Sequence, residues 1–324
     1  MTTITQAIAA YLDSVYLSRS ESTARTYSNA LKSFLQILKE KEQNPDQTAI
    51  EKIDETAIVW FSTALKDYAP ATERLYLTAV TGFYEYLAAE QLAEINLPRL
   101  RLLIRQRARR TGQRLPQFPR DAIETVLEYA DNLKGIATED MSEHLRNLRD
   151  RAFLITLADT GLRVHEACAL RRGDLDWNES KAIIIGKGDR EAVVRFSHRA
   201  IGAIKDYLSL RAAYDGDSGR ALTSLPIFAR HDKGAGKKIK PITTTTGRNI
   251  VSQRVAECLG ESAAGTITPH SFRHYFVTTV LRGSGGNLKL AQELARHKNI
   301  AVTTRYAHLA DDELDQGYYN IFDD

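Results

Sequence analysis

The sequence predicts a mainly α-helical protein with a small antiparallel β-sheet: an N-terminal helical bundle followed by an α+β domain. Three observations lead there. Four segments before residue 97 carry apolar residues at helical spacing. Two β-branched runs, at 182–185 and 191–196, flank the glycine turn GKGDR at 186–190. Between the two regions, residues 99–120 hold eight arginines and no acid.

The first helical segment places Ile8, Tyr11, Leu12 and Val15 on one face. The second presents Tyr27, Leu31, Phe34, Leu35 and Leu38 and ends before Asn44-Pro45. The third opens at Asp54, a good N-cap, and presents Ile58, Phe61, Leu65 and Tyr68. The fourth follows Pro70 with Leu77, Val80, Tyr84 and Leu87. Such stripes are expected to face one another as a bundle interior. Asn96-Leu97-Pro98 stops the pattern, so a bundle domain of 1–97, a linker of 98–120 and a second domain of 121–324 are expected.

In the second domain, helices are expected at 122–129 and 145–159, the latter buried because residues 152–155 are continuously apolar. Thr160-Gly161 is a helix stop, and a new helix begins near Arg163 and runs to Leu170. After the two strands, helices return at 199–213, 246–259, 270–282, 288–296 and 310–317. No internal repeat or low-complexity tract interrupts them.

With 324 residues, each domain can bury its own core without disulfides or metals. No window approaches the roughly 18 uninterrupted apolar residues of a spanning helix. The amphipathic N-terminus lacks a basic start and a small-residue cleavage site. Cys168 and Cys258 have no metal-like spacing, which fits a reducing compartment. A soluble, cytoplasmic protein without membrane contact, metal or cofactor is the expectation.

The 44 basic and 41 acidic side chains leave a net charge of only +3, which hides a local asymmetry. Arg99, Arg101, Arg105, Arg107, Arg109, Arg110, Arg114 and Arg120 form a single-sign block. A linker that needed only solubility would mix signs, so the block points to a polyanion, and nucleic acid is the candidate. After His308 the sign reverses: Asp311, Asp312, Glu313, Asp315, Asp323 and Asp324 stand without a base.

Four short pieces of the second domain stand out: TGLRVHEACAL at 160–170, GKGDR at 186–190, TPHSFRHYF at 268–276 and ARHKNIAVTTRYAHL at 295–309. Singly, each has an ordinary explanation. Arg163 and Glu166 fit a surface helix pair. Lys187 fits an exposed turn lysine, and Tyr306 a core aromatic. His270 and His274 are spaced like metal ligands, but Ser271 replaces the glutamate of a zinc-protease helix and no third ligand stands nearby.

Together the four pieces resemble the tyrosine recombinases, the phage integrase family that includes the Xer-type enzymes. The family pattern is an arginine in T-G-L-R-x-x-E, a lysine in a G-K-G hairpin, an H-x-x-R pair, and a histidine nine residues before the nucleophilic tyrosine. This chain has Arg163 with Glu166, Lys187, His270 with Arg273, and His297 with Tyr306, in that order and spacing. Thr23, Tyr27, Leu31 and Phe34 resemble the family's SAM-like core-binding domain, so the likeness covers essentially the whole chain.

The resemblance implies a site-specific DNA recombinase, acting in integration, excision or resolution, with double-stranded DNA carrying a specific site as partner. Tyr306 would attack the scissile phosphate and form a 3′-phosphotyrosyl link, which retains the bond energy for rejoining. Arg163 and Arg273 suit the non-bridging oxygens, since a guanidinium is a fixed, always-charged fork of donors. Lys187 would protonate the departing 5′ oxygen. His270 would accept the tyrosine proton or bond the phosphate, His297 would donate to it, and Glu166 would orient Arg163. Two domains joined by an arginine-rich segment can close on a duplex, the linker following the phosphates. The acidic tail would pack on a neighbouring protomer in a homo-tetramer on two duplexes, working alone or with a second recombinase.

Departures from the family are few. Leucine-glycine usually precedes the histidine at 297; here Ala295-Arg296 does. Phe272 replaces the usual leucine before Arg273, and residues 130–149 are longer and more polar than a minimal connection. An enzyme without an extra N-terminal DNA-binding module is expected, such as a chromosome or plasmid resolving recombinase or a mobile-element integrase. A type IB-like topoisomerase would share the chemistry, and a DNA-binding accessory protein with a decayed site would not keep all six reacting groups.

Overall fold

A computed structural model describes residues 2–109, 119–136, 138–186, 190–232, 239–304 and 306. The chain divides into two compact units, Met1–Arg114 and Leu115–Asp324. In the first, helices α1 (Ile4–Ser18), α2 (Glu21–Glu40), α3 (Thr56–Ala64), α4 (Pro70–Ala89) and α5 (Leu97–Arg107) surround an aromatic core of Phe34, Phe61, Phe83 and Tyr84. Thr3 caps α1 in a reciprocal box with Gln6. The expected apolar stripes lie inside, except that Tyr68 is exposed. The third helix starts one residue later than expected, with Glu55 rather than Asp54 at its N-cap, because Asp54 spends its carboxylate on the Thr56 amide at 2.8 Å ahead of the helix.

The linker reading of 98–120 needs correction over its first part. Pro98 sits in the first turn of α5 rather than ending structure, because proline is tolerated there, where its missing N–H had no partner to lose. Asn96 caps the helix through the Arg99 amide, and Leu100 is fully buried in the bundle core. Several of the arginines meet acids of their own unit. Arg99 pairs with Glu55 at 3.5 Å and Arg101 with Glu85 at 2.8 Å. Arg109 binds the buried Glu73, which also holds Lys66, and donates to the Tyr68 carbonyl. Arg105 is exposed, Arg107 half-buried, and Arg110 and Arg114 lie outside the described residues.

The second unit is helical around a small sheet. Its elements are α6 (Arg120–Asn132), α7 (Met141–Thr160), α8 (Val164–Ala169), β1 (Leu175–Asp176), β2 (Lys181–Gly186), β3 (Arg190–Arg195), α9 (His198–Gly216), α10 (Thr244–Leu259), α11 (Pro269–Gly283), α12 (Leu288–Ala295) and α13 (Ile300–Thr304). The buried α7 is the central post, touching α6, α9 and α11. The sheet is antiparallel in the order β1-β2-β3, with Ile183 opposite Val193. Ala182, Ile184 and Val194 face the core while Ile183, Ile185 and Val193 face out, the period-two pattern of a half-buried sheet. β1 is only two residues long, too short for alternation to reveal.

One buried charge network ties α7 to α10. Asp150 receives Arg149 at 2.7 Å and Arg254 at 2.8 Å, and Arg254 also binds Asn147 and Glu257. The helix expected at 310–317 and the acidic segment after His308 lie outside the described residues. Among the described residues, no helix is long and apolar enough to cross a membrane, and no three His, Cys, Asp or Glu side chains converge on a metal position.

Candidate active site

The site collects at the ends of α7, α11 and α12 and at the start of α8. Helix α7 stops at Gly161, whose φ of +58° is the left-handed conformation that glycine adopts freely. The chain turns at once into Arg163, the N-cap of α8. Glu166 reaches back from the third helical position and accepts the Arg163 amide at 2.9 Å and the Arg163 Nη1 at 2.9 Å. Glu166 is buried, while the Arg163 side chain stays 45% exposed, open to an incoming anion.

Arg273 is nearly fully buried on α11 and bridges chain segments far apart in sequence. Its Nη1 donates to the Gly161 carbonyl and its Nη2 to the Ala295 carbonyl, so α11 ties the end of α7 to the end of α12. These anchors fix the plane of the guanidinium and leave the rest of its five-donor fork. Burial together with the charges of Arg163 and Arg296 pushes its pKa down to about 10, still cationic at neutral pH.

Tyr306 is buried against α11. Its ring meets His274 edge-on at 4.9 Å and stacks with His297 at 6.4 Å, and its hydroxyl lies 3.4 Å from His274 Nε2. His297 is oriented through Nδ1 by Thr303, 2.9 Å away and fully buried. His270, exposed at the start of α11, stacks edge-on with His274 at 4.3 Å. The histidines share one electrostatic signature. Burial, then the charges of His270 and Arg273, push His274 down to about 4. Burial, then Arg273, Arg163 and Arg296, do the same to His297. His270, exposed as a residue but with its ring partly desolvated against His274, is lowered by that desolvation and then by Arg273 and Arg163. Burial opposes ionisation of Glu166, but the Arg163 amide, Arg296 and the Arg163 guanidinium outweigh it and hold the carboxyl below its usual range. The pocket carries more positive charge than its own acid balances, an environment that favours an anion.

Of the residues expected from sequence, Arg163, Glu166, His270, Arg273, His297 and Tyr306 come together here. Lys187 lies outside the described residues; the strands on either side of it are paired out to Gly186 and Arg190. Two further residues belong to the cluster. His274, weighed from sequence only as a metal ligand, brings its Nε2 to 3.4 Å from the Tyr306 hydroxyl. Its position one helical turn after His270 was the available signal, since residues four apart share a helix face. Arg296, noted as a departure, is turned into the site and donates to Glu166 Oε2 at 3.1 Å.

Comparison with known proteins bears on both units. Residues 122–313 match the family model described as the phage integrase family, and residues 8–91 match the phage integrase N-terminal SAM-like domain. Tyrosine recombinase XerC of Treponema denticola is 29% identical over 92% of this chain and 92% of its own length. XerC of Pelobacter propionicus is 32% identical over 75% of this chain and 70% of its own. XerH recombinase bound to a palindromic difH substrate, in a post-cleavage complex, has a similar fold, with a TM-score of 0.66 at 20% identity over 91% of this chain and 79% of that one. A λ integrase dimer bound to a core site gives 0.62 at 17% identity, covering 94% and 95%.

Proposed function

The chain belongs to the phage integrase family of tyrosine recombinases, and from that premise we propose that Tyr306 is the nucleophile of a site-specific DNA recombinase that cleaves and rejoins strands. The observation that carries the assignment is the meeting of Tyr306 with residues from separate elements in a pocket of surplus positive charge.

The chemistry exchanges one phosphodiester for another. The tyrosine oxygen bonds to phosphorus, the P–O5′ bond breaks, and the 3′-phosphate stays on the protein until a 5′ hydroxyl reverses the step. Arg163 and Arg273 receive the charge that grows on the non-bridging oxygens. His270 and His297 complete the phosphate contacts, and Lys187 protonates the leaving oxygen. His274 is an acceptor within 3.4 Å of the tyrosine hydroxyl; its depressed pKa keeps the imidazole neutral at pH 7, and Nε2 accepts in the tautomer that carries its proton on Nδ1.

The finer parts of the reading concern organisation. Residues 1–97 form the core-binding domain, 98–120 pass the duplex as linker with α5 as an ordered first part, and 121–324 hold the catalytic centre and an oligomerisation tail. Four chains act on two duplexes in the cytoplasm. Integration, excision and resolution all use this one step.

Covalent capture tests the assignment. DNA joined to protein is recovered, in chelator, from cells expressing the wild type or Tyr306→Phe, and the fragment ends are sequenced. Adducts at one recurring site, absent from the variant, are expected. Scattered adducts favour the topoisomerase reading, and adducts that survive Tyr306→Phe overturn the nucleophile.

A further inference from the structure

Arg296 occupies a strained and poorly satisfied position. Its backbone is left-handed, at φ +57° and ψ +42°, where a side chain with a Cβ is strained and glycine is not. Its side chain is 12% exposed, yet Nε and Nη1 are buried without a hydrogen-bond partner among the described residues. An unmet buried donor is costly, and a buried guanidinium more so. The one side-chain bond it makes there is from Nη2 to Glu166 Oε2 at 3.1 Å. Strain of this kind persists where the surroundings hold it for a purpose.

The geometry at Glu166 shows what that purpose is. Oε1 takes the Arg163 Nη1; Oε2 is shared by the Arg163 amide and Arg296. A carboxylate with both oxygens free would chelate a guanidinium with two parallel bonds, its preferred geometry. The Arg163 amide and Arg296 together fill the second oxygen, Arg296 taking the place that a second Arg163 N–H would use, so the Arg163 side chain is held by one N–H and keeps its remaining donors for another acceptor. It also supplies a second positive charge to a carboxylate that would otherwise neutralise Arg163.

We propose that Arg296 is a positioning residue for Arg163: by binding Glu166 it keeps the Arg163 guanidinium singly tethered and charged, ready for the non-bridging oxygens of the scissile phosphate. This rests on the recombinase reading above. In this chain a strained arginine does a task that a glycine at the same turn cannot.

The test uses the full-length protein and a nicked duplex bearing the site found by covalent capture, so that cleavage is trapped in a single turnover. Wild type, Arg296→Gly and Arg296→Lys are compared for adduct rate, duplex affinity and melting temperature. Glycine relieves the backbone strain, so Arg296→Gly is expected to melt no lower than wild type and to bind the duplex within twofold, yet to form adduct at least tenfold more slowly. Lysine restores the charge and is expected to recover part of the rate. A glycine variant that cleaves like wild type overturns the proposal, as does one whose loss of rate comes with lower melting or weaker binding. A lysine variant no faster than glycine overturns it too. Wild type that forms no adduct sinks the recombinase reading itself, and this inference with it.

Discussion

At the scale of single residues, the site is a set of cations waiting for an anion. Removing one preorganised charge donor typically raises a barrier by about 3–4 kcal/mol. Arg163→Ala is therefore expected to slow adduct formation by about 10²–10³-fold in a single-turnover assay, with a smaller change in duplex affinity. The histidines give a pH dependence. His274 and His297 are held near 4 and His231 near 3, the last by burial and then by Arg149, Arg211 and Arg146. In the unfolded chain all three take protons near 6.5. Between pH 6.5 and 4 the unfolded state binds more protons, so stability rises with pH across that window and is lost on acidification. Melting temperature is expected to fall steadily from pH 6.5 to 4; a flat profile would contradict the burial described for these rings. The residues that cluster around Tyr306 were legible in the sequence because their types and spacing follow a pattern. Thr303 was not, because a threonine that orients a histidine looks like any other threonine until the fold brings them within 2.9 Å.

At the scale of elements, helix ends were easier to read than charge partners. The stop at Thr160-Gly161 is a local rule, and the structure adds why no other residue suits it. A Cβ on Gly161 would lie 2.4 Å from Phe276 Cδ1, in a backbone region that costs an L-residue about 1–2 kcal/mol. Gly161→Ala is expected to lower unfolding free energy by about 2 kcal/mol or more in urea titration and, by shifting the Gly161 carbonyl, to impair Arg273. The α7–α10 network was invisible in the sequence, since Asp150 and Arg254 are 104 positions apart. Asp150→Ala leaves Arg149 and Arg254 buried without their shared counter-charge. Breaking such a pair on one side costs about 3–5 kcal/mol, which denaturant titration will show. The strands of the hairpin were readable from β-branching and the glycine turn, whereas the two-residue β1 depends on pairing with β2 and carries no signal of its own.

At the scale of the whole molecule, the arginine-rich stretch proved to be two things that composition alone cannot separate. Arg109 is an internal anchor on Glu73, while Arg105 is exposed on α5. Arg109→Ala is expected to lower the melting temperature of the protein. Arg105→Ala is expected to leave melting unchanged, weaken duplex binding and reduce the salt slope of log K by about 0.9 for the lost phosphate contact. Fluorescence titration across a salt series distinguishes the two outcomes. Only long-range packing reveals the division, because both arginines sit in the same acid-free run. The staple formed by Arg273 has a consequence during synthesis. Its acceptors, the Gly161 and Ala295 carbonyls, leave the ribosome at widely separated moments, and Tyr306 follows both. At roughly 5–20 residues per second, several seconds pass between the first acceptor and Tyr306. A nascent chain on the ribosome therefore carries Gly161 and Arg163 long before Tyr306, and the Arg273 staple closes only once Ala295 has emerged.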